Sequence, residues 1–184
     1  MKITGFEATT LNVPEDEPLA NMPEALGRTR PVVILRLRTN NGLEGLGVTF
    51  YGGKMTGSLR IAVEELAALT VGEDPLRIEF IVTKLRAAAD SSGPGGIFTL
   101  ALSAIDVALW DIKGKALEQP LWKLLGGHRD RVPTYASGAL RRGLSDDQAQ
   151  RAAQILVQKG FREMKTQMAL PGDPVPNDEI RRVS

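Results

Sequence analysis

The sequence predicts an α+β domain followed by the first strand–helix units of a parallel α/β domain. Three observations support this fold class. The first 50 residues read as paired strands, three helices are predicted between residues 57 and 117, and strands and helices alternate from Val132 onward. The pattern changes just before Val132. We therefore expect a first domain over residues 1–127 and a second, incomplete domain over residues 128–184.

The composition is that of an ordinary soluble chain, and it excludes several classes of function. The formal net charge is +1, so no global field would recruit nucleic acid or an anionic membrane. No apolar run approaches transmembrane length, and the N-terminus lacks the apolar core of a signal peptide. The absence of cysteine excludes disulfides and thiolate metal sites, and it favours a reducing compartment such as the cytoplasm.

The first three strands are predicted to form a small antiparallel meander. Residues 2–13 are rich in threonine and apolar residues, and in residues 31–39 aliphatic side chains alternate with arginine. Asn40-Asn41-Gly42 favours a tight hairpin turn into a return strand at residues 43–49. Residues 14–30, which connect the first two strands, are polar and rich in proline. A connection of this length is typical of a lid, a binding loop or disorder.

Two helices are predicted next. The first covers residues 57–69. The second is expected to begin with Asp74 as its N-cap and Pro75 at the first helical position, and to end near Ala89.

A third helix is predicted over residues 98–117, because apolar residues recur there with helical period and define one buried face. Asp106 and Asp111 lie five residues apart on this helix and therefore do not share a face. We interpret them as caps or salt-bridge partners and not as a catalytic carboxylate pair.

The second domain begins with a short strand predicted over residues 132–137. Ser145 and Gln148 have the spacing of a capping box and open a helix that ends at Lys159, with Gly160 as its C′ residue. Residues 161–167 are predicted as the next strand. On that strand Lys165 and Gln167 are two residues apart, so their side chains should point to the same face.

Four segments of the chain resemble one known family. They are ALWDIKGKA at 108–116, PLWKLLGG at 120–127, RDRVPTYAS at 129–137 and GFREMKTQ at 160–167. In this order they resemble the N-terminal half of the enolase superfamily, and most closely its mandelate racemase/muconate lactonizing enzyme branch. The resemblance implies an α+β capping domain followed by the first strand–helix units of a modified TIM (β/α) barrel. A complete barrel needs about 250 residues, so only its beginning fits here.

The resemblance also implies a reaction. Members of this family abstract the proton α to a carboxylate and stabilise the enolate with Mg²⁺, whose ligands are expected on later barrel strands that this chain does not contain. We expect an acid-sugar dehydratase that works on a small carboxylate substrate and forms a homo-oligomer at full length. A racemase, epimerase or cycloisomerase of the same family, and a non-catalytic truncated or binding protein, remain alternatives.

The family motif on the second barrel strand is Lys-x-Lys, and this chain matches it only in part. Its first lysine corresponds to Lys165, which the resemblance assigns to neutralising the substrate carboxylate and the growing enolate charge. Gln167 occupies the position of the second lysine, which is the usual base. Glutamine cannot accept a proton near neutral pH, so this departure favours a one-base reaction such as dehydration. Without the family match, a salt bridge between Lys165 and Glu163 would be the preferred interpretation.

Four further residues are candidates for substrate binding. Ser137 is expected to end the first barrel strand, where its hydroxyl would bind the substrate carboxylate. Tyr51 lies in a capping-domain loop that is expected to close over the substrate. Met22 and Arg28 lie in the first long loop, which in this family covers the active site and helps to select the substrate.

Overall fold

The computed structural model describes residues 1–14, 29–141 and 144–166, and the chain divides into two compact units. The first unit contains Met1–Val13 and Arg30–Asp130. The second contains the described residues from Arg131 onward. Each unit has its own cluster of buried apolar side chains.

A three-stranded sheet opens the first unit, as predicted. Its strands are β1 (Ile3–Pro14), β2 (Thr29–Thr39) and β3 (Glu44–Thr49), in the spatial order β1-β2-β3. The pairing of β2 with β3 is antiparallel. The Asn40 N–H donates to the Lys2 carbonyl over 2.9 Å, so the end of β2 lies beside the start of β1. Gly42 has a φ of +84°, a value that glycine adopts without a steric penalty, in the turn between β2 and β3.

Four helices follow the sheet: α1 (Thr56–Ala68), α2 (Ile78–Ala89), α3 (Gly96–Ala116) and the short α4 (Leu121–Leu124). The predictions of α1 and α3 are confirmed to within two residues. None of the helices in the described ranges is long and apolar enough to cross a membrane.

The predicted start of the second helix is wrong. The Asp74 carboxylate accepts a hydrogen bond from the Leu76 N–H over 3.1 Å, and the Asp74 carbonyl accepts one from the Arg77 N–H over 3.0 Å. These bonds close a separate turn. The helix begins at Ile78, because the bond from the Ile81 N–H to the Arg77 carbonyl opens its i→i−4 ladder. Asp74 therefore caps the turn before the helix.

Helix α3 packs very closely against β3 because two glycines of that strand face it. A Cβ atom at Gly47 would lie 1.8 Å from the Ala104 carbonyl oxygen, and one at Gly45 would lie 2.2 Å from the Ala108 carbonyl oxygen. No side chain fits at either position. The absence of a Cβ atom at Gly45 and Gly47 thus sets the distance between the sheet and α3, the longest helix.

Asp111 attaches α3 to the edge strand β3. Its carboxylate accepts hydrogen bonds from the Leu46 N–H and from the Lys115 ammonium, both over 2.7 Å. Lys115 also donates to the Glu44 carbonyl over 2.8 Å. These side chains occupy backbone groups of β3 that would otherwise offer a pairing edge to another strand. The interpretation of Asp111 as a salt-bridge partner is confirmed.

Asp106 lies on the same helix, in an environment that disfavours the ionised form of its carboxyl. Burial raises the pKa of its carboxyl above the ordinary value, the negative charge of Glu79 raises it further, and Arg86 lowers it. Since the raised pKa belongs to the folded state, the folded chain binds the proton more tightly than the unfolded chain does.

Replacing Asp106 with asparagine is expected to stabilise the protein at pH 7. The ionised carboxylate costs stability, and this cost appears as the pH rises from the unfolded pKa, near 3.8, through the higher folded pKa. The gain from asparagine should therefore be present at pH 7 and absent in acid. Urea unfolding of both proteins at several pH values measures this difference. A stability gain of equal size at all pH values would contradict the conclusion that folding raises the pKa of Asp106.

The second unit contains β4 (Ala136–Leu140), α5 (Asp146–Gln158) and β5 (Met164–Thr166), and the two strands pair in parallel. The predicted capping box is confirmed, since the Ser145 hydroxyl accepts from the Gln148 N–H and the Gln148 side chain accepts from the Ser145 N–H. Gly160, with a φ of +94°, ends α5 as predicted.

Hydrogen bonds from Gly160 to Val157 and from Phe161 to Leu156 complete the turn that leads into β5. Within the described residues the second unit is therefore one parallel strand–helix–strand unit, and the modified TIM barrel implied by the resemblance stays a prediction.

The predicted position of the first strand in this unit is wrong by several residues. The ladder to β5 starts with the bond from the Ala136 N–H to the Glu163 carbonyl, over 3.0 Å. Pro133 has no N–H to donate, and the Val132 side chain is 76% exposed. The strand therefore runs over Ala136–Leu140, and Ser137 is its second residue and not its last. The strand predicted over residues 161–167 begins later than predicted: β5 starts at Met164, residues 161–163 belong to the connection that leads into it, and Gln167 lies outside the described residues.

Candidate functional site

Ser137 and Lys165 lie side by side on the two parallel strands. The strand register pairs Ala136 with Met164 and Ser137 with Lys165. Ala136 and Met164 pack into the apolar cluster formed with Leu156 of α5. Because successive residues of a strand point to opposite faces, Ser137 and Lys165 point away from α5. The two residues predicted to bind the substrate carboxylate thus share the face that the helix leaves uncovered.

The local fold explains this juxtaposition. The capping box fixes the start of α5, and the glycine turn at its end fixes where β5 begins relative to β4. The pairing register shifts between Ser137 and Leu140, where Gly138 has a φ of +106°. This irregularity follows Ser137, so the pairing of Ser137 with Lys165 belongs to the regular part of the ladder.

A cavity of about 600 Å³, within the usual size range of small-molecule sites, adjoins Lys165, and Ser137 is not among its lining residues. Its lining residues are Tyr135, Glu163, Met164, Lys165 and Thr166. The lining thus combines a cation, a carboxylate and a phenol. Tyr135 was not among the residues predicted for the site; its position two residues before Ser137, just ahead of β4, is the signal that could have found it.

Lys165 and Glu163 line the same cavity without an ion pair between them. In the described part of the chain, no nitrogen-to-oxygen distance of 4.0 Å or less joins these two side chains. The salt bridge considered from the sequence is therefore not formed between these two side chains.

Tyr51 stands out in the first unit because its backbone is strained. It has a φ of +73°, which is rare for a bulky residue, and its side chain is 76% exposed. Its ring lies 4.4 Å from the ring of Phe50, measured between centroids. Neither burial nor glycine-like freedom explains this conformation, and strain of this kind is common at ligand-binding loops.

Three predicted site residues, Met22, Arg28 and Gln167, lie outside the described residues. Their roles remain predictions from the sequence. No group of three or more histidine, aspartate or glutamate side chains in residues 1–14, 29–141 and 144–166 is arranged to hold a metal ion. The described residues therefore do not fit a Mg²⁺ site on their own.

Comparison with known proteins identifies the family. The family model of the mandelate racemase/muconate lactonizing enzyme N-terminal domain matches residues 7–126. L-talarate/galactarate dehydratase from Salmonella typhimurium is 34% identical over 179 residues, which is 94% of this chain and 44% of that enzyme. The 3,6-anhydro-alpha-L-galactonate cycloisomerase from Streptomyces coelicolor is 34% identical over 83% of this chain and 42% of its own length.

Solved structures agree with these relatives. The Salmonella typhimurium L-talarate/galactarate dehydratase liganded with Mg and L-lyxarohydroxamate superposes with a TM-score of 0.82 at 30% identity, over 99% of this chain and 47% of that one. A racemase from Streptomyces coelicolor with bound magnesium gives a TM-score of 0.82 at 29% identity, over 98% of this chain and 50% of that one. The chain spans about half the length of the relatives that it matches. It belongs to the mandelate racemase/muconate lactonizing enzyme family of the enolase superfamily.

Proposed function

We propose that the complete gene product is an acid-sugar dehydratase that abstracts the proton α to the substrate carboxylate. The observation that carries this proposal is the pairing of Ser137 with Lys165 on the uncovered face of a parallel strand pair. Relatives named as L-talarate/galactarate dehydratase and D-galactonate dehydratase support the substrate class. The two described strands would be the first two of a modified TIM barrel, whose active site lies where the strands end.

Lys165 would supply fixed positive charge. A proton next to a carboxylate is very weakly acidic, because its removal adds a second negative charge to the same group. A preorganised ammonium beside that group stabilises the dianion more than it stabilises the substrate, and so it lowers the barrier. The Ser137 hydroxyl, on the neighbouring strand, would donate a hydrogen bond to a carboxylate oxygen and fix its orientation.

The base would lie elsewhere in the complete protein. Gln167 carries an amide that can donate or accept hydrogen bonds but cannot take up the α proton. Racemisation through two bases needs a proton acceptor on each face of the substrate. A single base suits dehydration, in which loss of the α proton is followed by departure of the neighbouring hydroxyl.

The capping domain would close the site and help to select the substrate. Tyr51 is already exposed on a strained loop, which suits a residue that contacts a ligand. Met22 and Arg28 would contribute from the first long loop. We also propose that the complete protein uses Mg²⁺, as in the magnesium-liganded relatives. Its ligands would come from outside the described residues.

A screen of acid sugars with the complete gene product tests this function. We expect a 2-keto-3-deoxy acid from at least one aldonic or aldaric acid, and loss of the activity after chelation of divalent metal. Mass spectrometry separates the outcomes, since dehydration removes one water whereas epimerisation and cycloisomerisation leave the mass unchanged. A product of unchanged mass would replace dehydration with the isomerase alternative that the cycloisomerase relative represents. No conversion of any acid sugar would overturn the proposal.

A further inference from the structure

Glu163 is a carboxylate that the proposed chemistry does not use, although it lines the same cavity as Lys165. Its backbone is held by the ladder, because its carbonyl accepts the bond from the Ala136 N–H over 3.0 Å. The spacing of two residues places its side chain on the face of Lys165. Glu163 therefore lies two residues before the lysine, just ahead of β5 and one layer below Lys165.

A carboxylate in this position needs a compensating cation. Parallel strands of complete proteins are covered on both faces, so this face becomes enclosed when further chain packs on it. An enclosed carboxylate without a partner is strongly disfavoured. Of the residues that line the cavity, Lys165 is the one cation, and Tyr135, the residue just before β4, offers a phenol. Arg141, beyond the end of β4, already has an interaction of its own.

Compensation of this carboxylate by Lys165 would act without direct contact. The two side chains do not form an ion pair in the described residues, so the ammonium is not drawn back onto the carboxylate. A carboxylate one layer below a lysine can restrain the flexible lysine side chain through attraction over several ångströms. The N–H donors of the ammonium then stay directed at the ligand.

We infer that Glu163 is a positioning residue, which holds the Lys165 ammonium over the cavity so that it meets the substrate carboxylate. This inference rests on the proposed function, because it assigns Glu163 a role that acts through Lys165. The substrate would contact the lysine and not the glutamate, since a second carboxylate repels an anionic substrate.

A double-mutant cycle in the complete gene product tests this role. Glu163→Gln removes the charge and keeps the shape, and it is expected to lower kcat/KM by about 10- to 100-fold through misplacement of the ammonium. Glu163→Asp keeps the charge and is expected to recover part of that loss. In a Lys165→Ala background, Glu163→Gln should cause no further loss, because both changes remove the same interaction. Arg162→Gln, a charge change at the neighbouring residue, is the matched control and should leave kcat/KM unchanged.

The outcomes separate this inference from the proposed function. If Lys165→Ala lowers kcat/KM while Glu163→Gln has no effect, or an equal effect in both backgrounds, the positioning role is wrong and the function stands. If Lys165→Ala itself leaves kcat/KM unchanged, the assignment of the site fails first. A Glu163→Asp protein as impaired as Glu163→Gln would also contradict the role. Circular dichroism and urea unfolding of each variant show whether a loss reflects unfolding.

Discussion

Replacing Lys165 with alanine is expected to lower kcat/KM for the acid-sugar substrate by about 10²–10³-fold, the range seen when one preorganised donor to a developing charge is removed. The physical reason is that the enolate carries one more negative charge than the substrate, so the missing ammonium is felt most in the transition state. The loss should therefore appear in kcat as well as in KM. Steady-state kinetics of the complete gene product measures both constants.

Lys123→Ala is the matched control for this prediction. Lys123 is an exposed lysine of α4 whose ammonium lies 5.5 Å from the centre of the Trp122 ring. Lys123→Ala removes the same atoms and the same charge as Lys165→Ala does. Lys123 precedes both paired strands in the sequence and belongs to neither of them. We expect wild-type kinetics from this variant. If the two variants were equally active, Lys165 would have no special role in the reaction.

Replacing Gly47 with alanine is expected to destabilise the first unit by about 3 kcal/mol, near the upper end of the usual cost of overpacking. The new Cβ would lie 1.8 Å from the Ala104 carbonyl oxygen, and that neighbour is backbone, which cannot rotate away. Helix α3 would have to move off β3, which would weaken the contacts of Asp111 with that strand. Urea unfolding followed by circular dichroism measures the change.

Gly57→Ala provides the control for the glycine prediction. Gly57 lies in α1, and a Cβ atom there would meet no heavy atom within 4 Å. Alanine at this position is expected to leave stability unchanged or to raise it by up to about 1 kcal/mol, because alanine loses less backbone entropy in a helix than glycine does. Comparable destabilisation by the two alanines would show that the close contact at Gly47 does not determine the packing.

Much of the fold follows from local sequence signals. The helical period of α3, the capping box at Ser145 and the glycine after α5 each depend on residues close together in the chain, and all three are confirmed. Of the errors at Asp74 and at β4, the first is local and the second depends on distant residues. Asp74 has the chemistry of an N-cap but uses it in a preceding turn. The limits of β4 depend on its pairing with β5, which lies more than twenty residues away.

The candidate site was also predictable only in part: the residues could be identified from the sequence, but their arrangement depends on the fold. The sequence locates Lys165 by its motif and its strand, and it identifies Ser137 by the segment that resembles the family's entry into the barrel. The register that pairs the two residues is not evident from the sequence, because it depends on how α5 packs against one face of the strand pair. Nor does the sequence alone reveal the left-handed backbone of Tyr51 or the position of Tyr135 in the cavity lining.

A crystal structure of the complete gene product with a hydroxamate analogue of an acid sugar would show directly what Lys165 contacts. We expect the Lys165 ammonium to lie within hydrogen-bonding distance of the acid group of the ligand, with the Ser137 hydroxyl beside it. A ligand bound with its acid group away from β4 and β5, and Lys165 paired with Glu163, would contradict the proposed role of Lys165.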